Sequence, residues 1–246
     1  MKTMAMDYPL YIQIAETFAN RIMSGDLKPG DRLPPERDLC QMLNVSRMTL
    51  RQALNELELR GLLSRRQGDG TYIAEPKIER NATKLVAFTD ALRQKGYHPS
   101  AKILLFDQRL ADERISNDLH IPLAGSVFYY QRLRLVNQEP LMLEKCFLPV
   151  SRFKGLEKFD LENRSVYEIL RNEYGVRIDH SHQSLEAVLA DEYEAGLLSV
   201  QPGAAMMLQH RLAYDVEGNP IECGDDIYRG DRFTFVTDSA PFSMEE

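Results

Sequence analysis

The sequence predicts an α+β protein in two domains: a small helical domain over residues 1–75, then a larger domain built on a mixed, mostly antiparallel sheet over 83–246. Three observations lead there. Up to Arg60, apolar residues recur at helical spacing in three short blocks. Beyond Lys102 they alternate in strand-length runs bounded by turn residues. The charge also divides at Glu75. The first 75 residues carry ten basic and ten acidic side chains, whereas the rest carries 20 and 27 and holds all of the net −7. A length of 246 residues suits two modest domains at about 100–200 residues each.

Leu10, Ile14, Phe18 and Ile22 recur every fourth residue, with Tyr11, Ala15 and Ala19 beside them, and predict an amphipathic helix that stops at Ser24-Gly25. Pro34-Pro35 before Glu36 opens a second helix, because proline suits the first turn and an acid suits the N-terminal dipole. Leu39, Met42 and Leu43 form its apolar face, and Asn44-Val45 is a tight turn. Ser46 caps a third helix in which Leu50, Ala53, Leu54 and Leu57 face inward and Arg47, Thr49, Arg51 and Gln52 face outward. After Gly61, two β-prone runs flank Gln67-Gly68-Asp69-Gly70, which predicts a hairpin with Arg65 and Arg66 leading into its tip.

Two short helices joined by a tight turn, the second opening on Ser46-Arg47-x-Thr49-x-Arg51, satisfy the needs of a helix-turn-helix. The first turns of the second helix must carry long hydrogen-bonding side chains into the major groove. A glycine-tipped basic hairpin beside it is a wing that reaches phosphates or a minor groove. Residues 46–66 hold five arginines against two glutamates, a local basic patch on an otherwise neutral segment.

Three stretches carry a family resemblance: 27–39 (Leu-Lys-Pro-Gly-Asp-Arg-Leu-Pro-Pro-Glu-Arg-Asp-Leu), 44–54 (Asn-Val-Ser-Arg-Met-Thr-Leu-Arg-Gln-Ala-Leu) and 68–73 (Gly-Asp-Gly-Thr-Tyr-Ile). Together they resemble the winged-helix domain of the GntR family of bacterial transcription regulators, across residues 8–75. Pro35 stands where serine is commoner. The resemblance implies that Arg37, Arg47, Thr49, Arg51 and the wing tip around Gly68 contact operator DNA. With the cap Ser46 and the wing residues Arg65, Arg66 and Gln67, these form the candidate DNA-binding set. For Arg37 the alternative is an ion pair with a neighbouring carboxylate.

Residues 76–82, polar and opened by Pro76, read as a linker. Thr83 to Lys95 is a predicted helix. Strands are predicted at Lys102–Arg109, Ser126–Val136, Pro140–Phe147, His182–Leu189, Ala205–Tyr214, Pro220–Tyr228 and Phe233–Thr237. Short helices fit Ala111–Leu119, Val166–Glu173 and Asp191–Leu198. Asp215-Val-Glu-Gly-Asn219 is a hairpin turn.

Strand alternation places Phe128, Tyr130, Arg132 and Arg134 on one face, and Glu222, Gly224, Asp226 and Tyr228 together on another strand. Two arginines pointing the same way from a rigid strand suit bidentate recognition of phosphate or carboxylate. The competing reading pairs them with Glu144 or Glu222 across the sheet.

Residues 80–240 resemble UTRA, the effector-binding domain of the HutC subgroup, whose fold is similar to chorismate lyase. The carrying segments begin at Lys84, Gln131, Pro140, Ser165, Asn219 and Tyr228 and follow in order along the domain. By resemblance to members that sense amino-sugar phosphates, the phosphate is held at Phe88, Thr89, Arg132, Arg134 and Ser165. Tyr167, Glu222 and Tyr228 line the rest, with Glu144 included among the site residues. Tyr167 stands where a smaller hydroxyl residue is common. Ser165 at a helix N-terminus also suits an anion on physical grounds.

Composition narrows the alternatives. With 43% hydrophobic and 27% charged residues the chain reads as soluble and globular, and no stretch approaches the ~20 apolar residues of a membrane span. The N-terminus has no apolar signal-peptide core, and Cys40, Cys146 and Cys223 form no C-x-x-C pair, which predicts a reducing cytoplasm. His180-x-His182 is a possible metal pair that no neighbouring ligand completes, so no metal and no cofactor is expected. Three functions stay open on the residues alone: a ligand-responsive transcription repressor, a lyase-like enzyme with a DNA-binding appendage, and an architectural DNA-binding protein. The resemblance favours the first, answering to a small anionic effector; a lone winged helix with a small basic patch buries little DNA, so a homodimer through residues 80–240 on palindromic double-stranded operator DNA is expected.

Overall fold

The computed structural model describes residues 8–66, 69–82 and 88–238, and the chain divides into two compact units at Lys77/Ile78. The first unit contains α1 (Leu10–Met23), α2 (Glu36–Leu43) and α3 (Arg47–Leu59), followed by the hairpin of β1 (Leu63–Arg66) and β2 (Gly70–Ile73). Ile14, Phe18, Leu39, Leu50, Leu54, Leu57, Leu63 and Ile73 form one buried cluster, in agreement with the spacing in the sequence. Asn44 ends α2 in the left-handed region at φ 52°, which the turn into α3 requires. The Ser46 side chain accepts the Thr49 N–H at 3.1 Å, so α3 starts where its cap predicts. The hairpin is tied back to the 30–33 segment: Leu33 N–H donates to the Thr71 carbonyl and Ile73 N–H to that of Asp31, both at 2.8 Å. Gly70 has φ 144°, a backbone conformation that residues with a Cβ rarely adopt, so this wing position favours glycine.

The second unit is a six-stranded antiparallel sheet in the order β4-β5-β6-β9-β8-β7. Its strands are β4 (Pro99–Leu110), β5 (Ser126–Val136), β6 (Glu139–Pro149), β7 (Ile178–Leu189), β8 (Ala205–Asp215) and β9 (Pro220–Arg229). A separate parallel pair joins β3 (Ile78–Asn81) to β10 (Phe233–Val236). The helices are α4 (Phe88–Gln94), α5 (Glu113–Asp118), α6 (Val166–Tyr174) and α7 (Glu192–Leu198). Asp112 caps α5, and Asp191 with Glu194 forms a full capping box on α7.

One face of the sheet carries two apolar clusters. At one end Phe128, Tyr130, Leu148 and Ile221 pack under α6 through Val166, Ile169 and Leu170. At the other, Met142 and Tyr228 pack with Phe88 and Leu92 of α4, Ile78 of β3 and Phe233 of β10. The opposite face packs Leu133, Leu143 and Ile227 with Ala195 and Leu198 of α7, and Val127 and Cys223 with Ile115 of α5.

Several boundaries differ from the sequence reading: β4 begins at Pro99 and not Lys102, and β7 at Ile178 and not His182. The predicted linker over 76–82 contains a strand, because Ile78 is buried in the α4 cluster and pairs in register with Phe233. Charged neighbours at Glu79 and Arg80 mask this in the sequence. The predicted helix from Thr83 is described only from Phe88; residues 83–87 lie outside the described residues. Among the described residues, no helix is long and apolar enough to cross a membrane.

Candidate functional site

Between the two apolar clusters on the same sheet face lies a polar cavity of about 50 Å³. All nine predicted effector residues line it: Phe88, Thr89, Arg132, Arg134, Glu144, Ser165, Tyr167, Glu222 and Tyr228. Sheet register explains the convergence. Arg132, Glu144, Asp226 and Gln209 form one rung across β5, β6, β9 and β8, and Arg134, Met142, Tyr228 and Met207 form another. Residues of one rung share a face, so side chains far apart in sequence point into one space.

The interior is filled by ion pairs. Arg132 donates through Nε and Nη2 to Glu144 at 3.0 and 2.9 Å, and through Nη1 to the Leu161 carbonyl at 2.7 Å. Arg134 lies 3.8 Å from Glu144, donates to Thr89 Oγ1 at 2.6 Å and stands 4.7 Å over the Phe88 ring. Thus the cross-sheet pairing and the arginine pair weighed as alternatives are both present. Glu222 is not the arginines' partner: it accepts from Tyr167 Oη at 2.5 Å and Arg211 Nε at 2.8 Å. Ser165 sits at the N-cap of α6 with no capping hydrogen bond from its own side chain, so its hydroxyl is available to a ligand.

Sequence reasoning missed Arg211, Gln209 and Arg80. Arg211, its side chain 11% exposed, bridges Glu222 and Asp226. Gly224 permits this, since a Cβ there would come within 3.3 Å of Arg211 Nη2 and 2.9 Å of the Lys145 carbonyl. The available signal was the period-two placement of Gln209, Arg211 and Ala213 opposite Asp226, Gly224 and Glu222. Arg80 extends from β3 to the cavity, 5.2 Å from the Tyr228 ring. The lining therefore carries four arginines against three carboxylates and has net positive charge.

Burial dominates the electrostatics. It lowers the Arg134 guanidinium to about 10, helped by the Arg132 charge beside it. Burial would raise Glu144, but Arg132 and Arg134 more than offset it and hold this carboxyl below its ordinary range. Asp226 goes the other way: burial pushes it from 3.8 to about 7, with Arg211 offsetting only part of that. A carboxyl raised in the folded state stabilises fully below its unfolded value, and that contribution is lost as pH rises through the folded value. Ligand-free protein should therefore lose stability between the ordinary value of 3.8 and about 7 through Asp226. Asp226→Asn should flatten that decline in a series of thermal melts against pH; an unchanged slope would remove Asp226 as its source.

The candidate DNA-binding residues occupy the first unit. Arg47 is exposed at the start of α3 and makes no ion pair among the described residues. Arg51 is exposed and its Nε meets Glu36 at 3.1 Å, while Arg37 meets Asp38 at 3.2 Å. Exposed pairs of this kind contribute about 0–1 kcal/mol and yield readily to a stronger partner. Ser46 and Thr49 bond through their hydroxyls at 2.8 Å, so Ser46 serves the helix start. Arg65 is held against α3 by Glu58 at 3.2 Å and Asn55 at 2.5 Å. Arg66 is the last residue of β1; Gln67 and Gly68 lie outside the described residues. His180 stacks on Tyr214 and bonds Asp179, and no group of metal-binding side chains occurs among the described residues.

Comparison with known proteins matches both units. Residues 10–73 fit the family model of bacterial regulatory proteins, gntR family, and residues 94–234 fit that of the UTRA domain. The chain is 32% identical to the HTH-type transcriptional repressor NagR of Bacillus subtilis, covering 93% of each chain. It is 30% identical to the mannosyl-D-glycerate transport/metabolism system repressor MngR of Escherichia coli, over 93% of this chain and 95% of that one. The crystal structure of PhnF from Mycobacterium smegmatis superposes with a TM-score of 0.68 at 28% identity, over 93% of this chain and all of that one.

Proposed function

The chain belongs to the gntR family of bacterial regulatory proteins and joins a UTRA domain to its DNA-binding region, and we propose that it is a repressor controlled by a small phosphorylated or similarly anionic sugar. It is a ligand-responsive transcription regulator that binds operator DNA, and not an enzyme: its relatives over nearly the whole chain are regulators. One observation carries the choice of effector. Arg132 and Arg134 emerge side by side from a rigid strand into a net-positive cavity that also receives the free Ser165 hydroxyl. Planar guanidiniums and a helix N-terminus both suit phosphate or carboxylate oxygens. The name of MngR, which refers to a sugar carrying a carboxylate, points the same way.

The proposed regulator is a cytoplasmic homodimer on a palindromic operator. A single winged helix with a small basic patch buries little DNA, so useful affinity needs two linked copies. Sedimentation should show a dimer at micromolar concentration; a monomer that binds one half-site would reject this.

The test of the effector is a thermal-shift screen of phosphorylated sugars, amino-sugar phosphates and phosphonates. A ligand at 100 times its Kd adds about 2.7 kcal/mol to the native state. The ligand found should then change operator affinity by about 5–150-fold, and operator DNA must change ligand affinity by the same factor. A bound ligand that leaves operator affinity unchanged would refute the regulatory reading.

A further inference from the structure

Three of the four arginines that line the cavity are already bonded. Arg132 donates to Glu144 and the Leu161 carbonyl, Arg211 to Glu222 and Asp226, and Arg134 to Thr89. Arg80 is half-buried on β3, and among the described residues its side chain makes no hydrogen bond and no ion pair. Its guanidinium stands 5.8 Å from the centre of the Phe88 ring and 5.2 Å from that of Tyr228. Contact with ring faces leaves the N–H donors at the guanidinium edge unspent. Asp226 has an unused oxygen but offers Arg80 little charge, because burial opposes its ionisation. Arg134 shares the Phe88 ring, 4.7 Å from its centre, and its Nε is also unpartnered. An anion in the cavity that both arginines line can accept from each and offset their repulsion.

The two arginines stand on elements of different kinds. Arg134 belongs to β5, inside the six-stranded sheet, whereas β3 has four residues and pairs with β10 outside that sheet. β3 is also the first element after the boundary at Lys77/Ile78, and only residues 74–77 separate it from Ile73 at the end of the wing. Those four residues include Pro76 and no glycine, so a constraint placed on β3 can pass along the chain without being absorbed.

We propose that Arg80 is an effector contact and the residue that passes ligand binding to the DNA-binding unit: an anion held by Arg134 also takes the Arg80 guanidinium, and this ties β3, with the chain leading from the wing, to the six-stranded sheet. The inference rests on the anionic-effector reading above. Arg132 and Arg211 cannot carry the signal in this way, since both sit on strands of the sheet and are held by its carboxylates. Arg134 supplies affinity and Arg80 supplies coupling. A ligand that fills the cavity without engaging Arg80 makes no differential contact between the two states and leaves operator affinity alone.

The experiment uses full-length protein and three probes: glucose 6-phosphate, glucosamine 6-phosphate and inorganic phosphate. Calorimetry gives probe affinity with and without operator DNA, and gel shifts give operator affinity with and without saturating probe. In wild type at least one probe should change operator affinity by about 5–150-fold. Arg80→Gln and Arg80→Met remove the charge and keep most of the side chain's length, and the second variant serves if the first fails to fold. Each should bind that probe about tenfold more weakly, the scale of one charge-assisted hydrogen bond. At saturating probe the change in operator affinity should fall to about onefold, and operator DNA should in turn cease to change probe affinity. A site that is merely weakened keeps both effects once it is saturated. Wild-type coupling in both variants, or wild-type probe affinity in both, overturns the role of Arg80; loss of probe binding in Arg134→Ala then leaves the anion site standing. No binding of any probe to wild type, or binding that leaves operator affinity unchanged, overturns this inference together with the reading it rests on.

Discussion

Arg134→Ala is expected to abolish the ligand response and leave operator affinity at the wild-type level, whereas Arg132→Ala is expected to unfold the sensor more easily. The difference follows from what each guanidinium holds. Arg134 is a buried cation with an unpartnered Nε and a guanidinium lowered to about 10, so the fold gains little from its charge. Arg132 carries Glu144 on two hydrogen bonds and also binds the Leu161 carbonyl. Removing it leaves a buried carboxylate with one nearby cation, Arg134 at 3.8 Å, and the Tyr130 hydroxyl at 3.3 Å. Breaking a buried pair from one side costs about 3–5 kcal/mol. Removing Arg134 leaves Glu144 both of its hydrogen bonds from Arg132, so it costs less. Thermal melts of both variants and operator titrations with and without ligand measure the contrast. Full response in Arg134→Ala, or a wild-type melt in Arg132→Ala, would show that these roles are wrongly divided.

On the DNA side, Arg47→Ala and Arg51→Ala are each expected to weaken operator binding by about 1–3 kcal/mol if they reach base edges, and to relax specificity. Arg47 would enter the groove without giving up an ion-pair partner among the described residues. Arg51 must release Glu36, an exposed contact at 3.1 Å whose loss subtracts little. Arg65→Ala should act differently. Its guanidinium is engaged with Glu58 and Asn55 at the wing base, so any phosphate contact it makes is independent of sequence. Gel-shift titrations on operator and scrambled DNA separate the two: loss on operator alone for the helix variants, equal loss on both for Arg65→Ala. Unchanged affinity in both helix variants would refute the recognition-helix assignment.

Much of the site was legible because β-strands have a fixed period. Alternation alone put Arg132 with Arg134 and Glu222 with Asp226 and Tyr228, and the register confirms both groupings. The resemblance supplied Thr89 and Ser165, which no periodicity places beside them. Arg211 was hidden because its strand reads as an ordinary amphipathic run; only pairing with Gly224 shows the room left for its guanidinium. Arg80 was hidden by its polar neighbours, which make a three-residue stretch of β3 look like a linker.

The sequence by itself determined the local elements and the chemistry available to the protein. The caps at Ser46 and Asp191, the helical spacing of Ile14 and Phe18, and the turn at Asp215–Asn219 act over a few residues, so they can be read without the fold. Tertiary structure alone decided which charges meet. Strand order places β9 between β6 and β8, and this brings Asp226 beside Glu144 on one side and Gln209 on the other. That order also decides that Glu222 is held by Arg211 while Glu144 is held by Arg132. The physical reason is range. Capping and periodicity are set by neighbours along the chain, whereas ion pairing in a low-dielectric interior depends on separations of a few ångströms between residues remote in sequence.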